Sequence, residues 1–423
     1  MFKRLLISFI TLVLVSCGGG NGTTTSSNGT VTPSSSTPTN STPIASSYSL
    51  GGSVTSATGI SPTGLVLTDG IDNITIAGSA STFTFPTSMS SSTAYTVSVK
   101  TNPGGVNCTI TNGTGSGTIS TSNVNSVTVN CAAGTVSALY TFKTGTNNTT
   151  GSANPNDGAF PQSVLVMDSL GNLYGTTVYG GGTAGAGTVF KLTPNSSGSY
   201  TESVLYRFQS SSNTDGASPQ AGLVMDSSGN LYGTTYGGGT ANKGTVFKLT
   251  LNPSSGSYTE TVLANGSTTY GANPVAGLIM DSLGNLYGTT YFGGTAGAGT
   301  VFKLTNNSGV YTESVIYSFQ SGVNTTVVGN SNDGANPYAG LVMDSLGNLY
   351  GTTFRGGNAN VGTVFKLTLN TSSSSYTESI LANGSTTYGA NPVAGLIMDS
   401  LGNLYGTTYF GGTANAGTVF KIN

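Results

Sequence analysis

The chain has 423 residues, with 12 Lys or Arg against 14 Asp or Glu, no histidine and no tryptophan. Without histidine the commonest general base and metal-ligating side chain is gone, and the near-neutral balance leaves no cationic footprint for nucleic acid. Sixty-four glycines and many Ser, Thr and Asn suit an exported all-β protein whose turns carry the small residues.

Residues 1–16 read as an export signal. Lys3 and Arg4 supply the positive end, and Leu5 to Ser16 form an apolar stretch too short to span a bilayer as a helix. Leu14-Val15-Ser16-Cys17 resembles the lipobox of bacterial lipoproteins, which implies cleavage before Cys17 and acylation of that cysteine. The alternative is an ordinary secretory signal with a chance cysteine. Gly18 stands where lipoproteins of that kind carry an aspartate for inner-membrane retention, so the resemblance implies a lipid anchor in the outer membrane, facing the periplasm or the cell surface. Residues 17–47 then form the lipidated cysteine and a Gly/Ser/Thr tether with too few apolar groups to order.

Residues 48–134 carry their own pattern: GLVLTDG, STFTFPTSM, AYTVSVKTNP, CTITNGTGSG and SVTVNC, each a short run closed by Gly, Asn, Pro or Ser. Phe83 and Phe85 alternate with Thr82, Thr84 and Pro86, and Tyr95, Val97 and Val99 alternate with Thr96, Ser98 and Lys100. This is the period of half-buried strands. A small β-sandwich of immunoglobulin-like or prealbumin-like type is expected. Cys108 and Cys131 lie on consecutive late strands, and in an oxidising compartment they are expected to form a disulfide that stabilises by about 3 kcal/mol in the chain-entropy picture.

Residues 135–423 repeat a phrase five times. DSLGNLYGTT or a close variant, then a glycine cluster and GTVFK, starts at Asp168, Asp226, Asp281, Asp344 and Asp399, at spacings of 58, 55, 63 and 55 residues. Such a period holds about four short strands, and radial repetition of four-stranded units builds a propeller. In the second unit the candidates are Ser203 to Phe208, Ala221 to Asp226, Asn230 to Tyr236 and Gly244 to Thr250. The first unit opens with Val136 to Phe142, and GLVM reads as a strand buried on both faces. The expected fold is therefore all-β, a five-bladed β-propeller preceded by a small β-sandwich domain, with units at about 136–193, 200–250, 258–305, 311–368 and 376–423.

The units, each with DxxGNLYGTT, a glycine cluster and GTVFKL, resemble the GloVer tandem-repeat family of exported bacterial proteins. The likeness covers all five units, about two thirds of the chain. It implies the repeat architecture and an exported location, and no biochemical activity.

The motif residues divide by loop. DSLGN reads as a hairpin turn in which aspartate accepts backbone amides, glycine supplies a positive φ and the asparagine after it tolerates the same region. A cation-binding ring of five aspartates is the alternative, but the closely spaced oxygen ligands of a calcium loop are missing, so no metal and no cofactor is expected. Lys191, Lys248, Lys303, Lys366 and Lys421 share that rim with Glu202, Glu260, Glu313 and Glu378, and pairing across adjacent strands is expected. The opposite rim carries Tyr236, Tyr291, Phe292, Phe354, Tyr409 and Phe410 beside the glycine clusters, with Tyr270 and Tyr388 in NGSTTYGANP loops. These are the candidate ligand-facing residues, for a sugar ring or a protein partner; the alternative is that they pack between blades.

Every acid in the repeats occupies a recurring position. Asp157, Asp215 and Asp333 of the DGA loops are the best acid candidates, and no GxSxG or P-loop pattern accompanies them. Glu260 to Leu304 and Glu378 to Ile422 differ at only four positions, so two units present the same surface. The expectation is a monomeric, lipid-anchored, non-catalytic binding scaffold for a glycan or envelope protein, with no nucleic-acid partner. The alternatives are a structural envelope protein without a specific ligand and a glycoside-active enzyme.

Overall fold

A computed structural model describes residues 46–111, 114–142, 157–181, 185–196, 198–209, 214–320, 333–387 and 389–423. The expectations for the signal, for Cys17, for the tether up to residue 45 and for Tyr388 lie outside the described residues. The described residues form strands and turns throughout, with no helix long and apolar enough to cross a membrane. The chain divides into two compact units between Val136 and Ser137.

In the first unit a four-stranded sheet runs in the order Thr82–Thr84, Leu50–Ser56, Val124–Ala133, Val106–Ile110. Val124–Ala133 lies parallel to Leu50–Ser56 and antiparallel to Val106–Ile110. A three-stranded sheet sets Val66–Thr68 between Asn73–Thr75 and Ser98–Thr101. One cluster draws on both sheets, with Leu50, Leu67, Phe85, Val127 and Val129 buried, and the alternation at Phe83/Phe85 and Tyr95/Val97 is the inward face of these strands. Cys108 stands directly opposite Cys131 on the neighbouring strand and forms the expected disulfide, with Cα atoms 4.0 Å apart. Leu50–Ser56 escapes a sequence reading because Gly51-Gly52 looks like a turn. Gly52 is instead a point of close approach, where a Cβ would run into the backbone of Val127.

The second unit is a succession of antiparallel sheets. The first contains Val166–Met167, Leu173–Thr177, Thr188–Pro194 and Tyr200–Arg207 in spatial order. The second, third and fourth repeat it, ending on outer strands Tyr258–Asn265, Val310–Ser318 and Ser375–Asn383. The fifth has three strands, Ile397–Met398, Leu404–Thr408 and Thr418–Ile422.

Sheet membership differs from the sequence reading. The run expected to open each unit closes the preceding sheet: Tyr200–Arg207 pairs with Thr188–Pro194 from before it, with Lys191 opposite Ser203. Val136 to Phe142, expected to be a strand, pairs with nothing as a strand. The GLVM run supplies only two-residue strands such as Val224–Met225, both residues half-buried. Apolar succession reads as double-sided burial, yet here the inner strand is cut short by the turn aspartate that follows it.

Within each sheet the phrase explains itself. Gly233 faces Phe247 across the ladder, and a Cβ on that glycine would stand 2.6 Å from the ring. LYGTT thus keeps glycine so that the phenylalanine of GTVFK can lie over it. Thr235 and Thr245 share a buried hydroxyl–hydroxyl hydrogen bond of 2.8 Å, repeated at Thr177/Thr188, Thr290/Thr300 and Thr353/Thr363. Successive sheets share small apolar clusters, Leu223, Leu231 and Phe247 meeting Tyr174, Val189 and Phe208, for example. Thr176 Oγ1 donates to the carbonyl of Ala221 in the next sheet (3.0 Å), as Thr234 does to Ala276 and Thr289 to Ala339.

Candidate functional site

The five turn aspartates are saturated acceptors. Asp226 Oδ1 accepts the N–H groups of Ser228 and Asn230 (both 2.9 Å), while Oδ2 accepts Asn230 Nδ2 (2.8 Å) and the Tyr232 hydroxyl (3.0 Å). The same four bonds recur at Asp168, Asp281, Asp344 and Asp399. Asn and Tyr of DxxGNxY are therefore the aspartate's partners. Only the glycine takes positive φ, 79° at Gly229; the asparagine tolerates that region but does not adopt it here. Burial alone would raise the Asp226 carboxyl, but the bonds from Asn230, Tyr232 and Ser228 outweigh it and hold it below the ordinary range. At half-buried Asp399 the Asn403 amide leads the same set of bonds and brings the carboxyl to about 2.

The lysine expectation is also corrected. Across the ladder Lys248 faces Thr261 and Glu260 faces Leu249, so lysine and glutamate point to opposite sides of the sheet. Lysine lies over the motif tyrosine instead, Lys248 Nζ 5.5 Å from the Tyr232 ring centre, with the same contact at Lys191, Lys303, Lys366 and Lys421.

Asp157, Asp215 and Asp333 are buried between sheets, at 2, 7 and 1 % exposure. Asp215 accepts the Gln209 N–H (2.7 Å), its neighbour Gly216 N–H (2.7 Å) and the Tyr206 hydroxyl (3.1 Å). Asp333 repeats this with Gln320, Gly334 and Tyr317, and Asp157 accepts Tyr140 and Gly158. Asp215 and Asp333 each clasp the end of one sheet's outer strand to the loop entering the next. Glu260 stands close by, lining a cavity of about 440 Å³ with Tyr206, Gln209 and Asp215. Burial, then the Asp215 charge, pushes its carboxyl up to about 7, and Glu378 reaches about 7 through burial and Asp333. Glu313 reaches about 7 through burial alone. The glutamates escape a sequence reading as perturbed groups because YTES looks like an exposed strand edge; alternation with the outward Thr259 and Thr261 was the available signal.

Of the candidate rim aromatics, Tyr236, Tyr270, Phe292, Tyr409 and Phe410 are exposed by 36 to 61 %, and Tyr291 and Phe354 are half-buried. Phe292 packs edge-on against Tyr291 with ring centres 4.6 Å apart, Tyr291 meets Tyr338 at 6.0 Å, and Tyr338 leads to Phe354 at 6.4 Å. Arg355 lies over Phe354. Tyr338, 41 % exposed, thus joins the third and fourth sheets' aromatics into one track; it sits in GANPYAG, outside the glycine clusters where the sequence drew attention. Phe160 and Tyr179, both about half exposed, form a smaller pair at 5.8 Å. The rim backbone is held from the next unit: Asn336 Nδ2 donates to the Tyr291 carbonyl (2.9 Å), Asn273 to that of Tyr236 and Asn391 to that of Phe354.

The sequence profile of the Gloeobacter/Verrucomicrobia repeat matches residues 112–329 and 317–423, spanning every DxxGNxY turn described above. The chain belongs to this repeat family. No curated protein sequence matches it. Among solved structures, an endo-arabinase from Bacteroides thetaiotaomicron is similar at 13 % identity, over 62 % of this chain and 94 % of that one, with a TM-score of 0.35. A protein assigned as a 6-phosphogluconolactonase from Bacteroides uniformis is similar at 13 % identity, over 64 % and 83 %, with a TM-score of 0.33.

For this Gloeobacter/Verrucomicrobia repeat protein, then, the repeated acids are internal fastenings. The aromatic track is the exposed chemistry its units share unequally: the third unit has Tyr291-Phe292 and the fourth Phe354-Arg355 at equivalent positions.

Proposed function

We propose that this is a lipid-anchored cell-envelope repeat protein whose five repeat sheets form a five-bladed propeller, following a small β-sandwich, and act as a non-catalytic binding scaffold for a glycan or protein. The track Phe292–Tyr291–Tyr338–Phe354 carries the binding reading. Its rings are held in place by edge-to-face packing and by asparagine bonds to the backbone, so little side-chain freedom is lost when a sugar face or an apolar side chain settles on them. Support for the propeller comes from five like-ordered sheets, four of four strands and one of three, packed in succession through clusters that each include the GTVFK phenylalanine of the following sheet. Support for an absence of catalysis comes from the clasp: a carboxylate receiving three hydrogen bonds at a sheet junction is poorly placed to move protons for a substrate.

The test is a glycan array and an envelope-protein pull-down with the native chain and with Tyr291→Ala and Tyr338→Ala. Saturable binding lost at least tenfold in both variants supports the scaffold. Binding in neither screen leaves the structural envelope protein as the better reading. Anchoring is tested separately: Cys17→Ser is expected to shift the protein from the outer-membrane fraction to the soluble one.

A second reading rests on Glu260 and Asp215 in their cavity, since two carboxyls in unlike environments are what glycoside cleavage uses. Turnover on a polysaccharide panel, abolished by Glu260→Gln, would establish it over the first.

A further inference from the structure

The fifth sheet ends on an uncovered strand. Val419 is 81 % exposed, whereas its equivalents Val189, Val246, Val301 and Val364 are at most 6 % exposed, packed in clusters with the following sheet. Among the described residues nothing pairs with the far side of Thr418–Ile422. The space left is visible as a cavity of about 440 Å³ lined by Val364, Thr408, Val419 and Phe420. At the second-to-third junction the matching cavity is about 10 Å³, with Glu313 of the outer strand in its wall. The first sheet is uncovered on its opposite side, Leu165 being 44 % exposed where Leu223, Leu278, Leu341 and Leu396 are 4 or 5 %.

Ser137-Ala138-Leu139-Tyr140-Thr141-Phe142 has the wording of an outer strand, matching Ser203-Val204-Leu205-Tyr206-Arg207-Phe208 and Ser314-Val315-Ile316-Tyr317-Ser318-Phe319. Its second half already occupies the outer-strand position against the following sheet. Tyr140 donates to Asp157 as Tyr206 does to Asp215 and Tyr317 to Asp333. Phe142 meets Phe190 at 5.1 Å, as Phe208 meets Phe247 at 5.1 Å and Phe319 meets Phe365 at 5.2 Å. The one thing missing is the ladder on the preceding sheet.

We propose that Ser137–Thr141 is the fourth strand of the fifth sheet, pairing antiparallel with Thr418–Ile422 and closing the ring. This rests on the five-bladed reading. The first sheet transfers the register: Val189 opposite Tyr206, Phe190 opposite Val204 and Lys191 opposite Ser203, with a bulge at Leu205. Val419 therefore faces Tyr140, Phe420 faces Ala138 and Lys421 faces Ser137, and the bulge falls at Leu139. Pairing covers the edge at Val419–Ile422, where an exposed apolar valine is otherwise a template for unwanted association. It also brings the uncovered face of the fifth sheet to that of the first.

The register is testable with paired cysteines in the full chain, Ser137→Cys with Lys421→Cys, against the out-of-register control Ser137→Cys with Val419→Cys. The first pair is expected to crosslink within a monomer and the control is not. Amide exchange of Thr418–Ile422 is expected to be slowed on the order of 100-fold, like that of Thr363–Leu367, and Ala138→Pro is expected to release the former and spare the latter. Crosslinked dimers would overturn the proposal in favour of strand exchange between copies. No crosslink together with fast exchange at Thr418–Ile422 would also overturn it. Small-angle scattering then separates the two failures: a compact particle keeps the ring without this strand, and an extended one removes the five-bladed reading as well.

Discussion

Two kinds of sheet junction alternate along the repeats. Between the first and second sheets, and between the third and fourth, the outer strand ends in Tyr–x–Phe and the next loop supplies a buried aspartate: Tyr206, Phe208 and Asp215, then Tyr317, Phe319 and Asp333. Between the second and third, the same positions are Ala264, Gly266 and Tyr270. There the loop folds on itself, Ser267 and Gly271 exchanging backbone hydrogen bonds while Tyr270 stays 48 % exposed. One junction is fastened by a hydrogen-bonded acid and a ring, the other by a short self-closed loop. The comparison teaches that these residues work as matched triplets, since an aspartate without its tyrosine, or a phenylalanine without its cleft, would be a buried liability.

Breaking the aromatic member should show the largest contrast. Phe208→Ala removes a fully buried ring that packs on Phe247 and should cost about 3–5 kcal/mol, read as a lower midpoint in urea. Gly266 holds the same place at the other junction and offers no ring to lose. Next comes the acid: Asp215→Ala strands the Gln209 and Gly216 amides and the Tyr206 hydroxyl, at about 2–4 kcal/mol, against under about 1 kcal/mol for exposed Tyr270→Ala. Asp226→Ala removes a turn common to both halves of the comparison and should cost about 1–2 kcal/mol, so its effect on melting measures the shared scaffold.

The smallest effect is in pH. Glu260 and Glu378 sit at the acid-bearing junctions with carboxyls raised from 4.5 to about 7, so the folded state holds their protons more tightly than the unfolded one. Their contribution is complete below about pH 4.5 and is lost as pH rises to about 7. The turn aspartates work the other way: their lowered carboxyls stabilise above the ordinary aspartate range and lose that contribution as pH falls. Glu260→Gln with Glu378→Gln should therefore flatten the decline in melting temperature between pH 4.5 and 7 and change nothing at pH 4. An unchanged slope would mean that these carboxyls titrate near their ordinary value.

The tandem repeat, the all-β character and the Cys108–Cys131 bond were legible in the sequence, and the reason is local. Alternation at Phe83 and Phe85, glycine at Gly229 and the repeated LYGTT and GTVFK encode strand, turn and strand within a dozen residues. Leu50–Ser56 was missed because paired glycines signal a turn unless the neighbouring backbone is known to press on them. The role of Asn230 was missed for a similar reason: its tolerance of positive φ is a property of the residue, whereas its bond to Asp226 is a property of the closed turn.

By itself, then, the sequence determined how many times the unit recurs, where its turns fall and which residues alternate inward. Tertiary structure alone decided that Tyr200–Arg207 closes the preceding sheet, that Asp215 is a buried clasp and that Lys248 lies over Tyr232 while Glu260 turns inward. Strand formation follows from side-chain periodicity along the chain. Sheet membership and burial follow from which backbone edge comes to lie beside it, and that is set by contacts between one unit and the next.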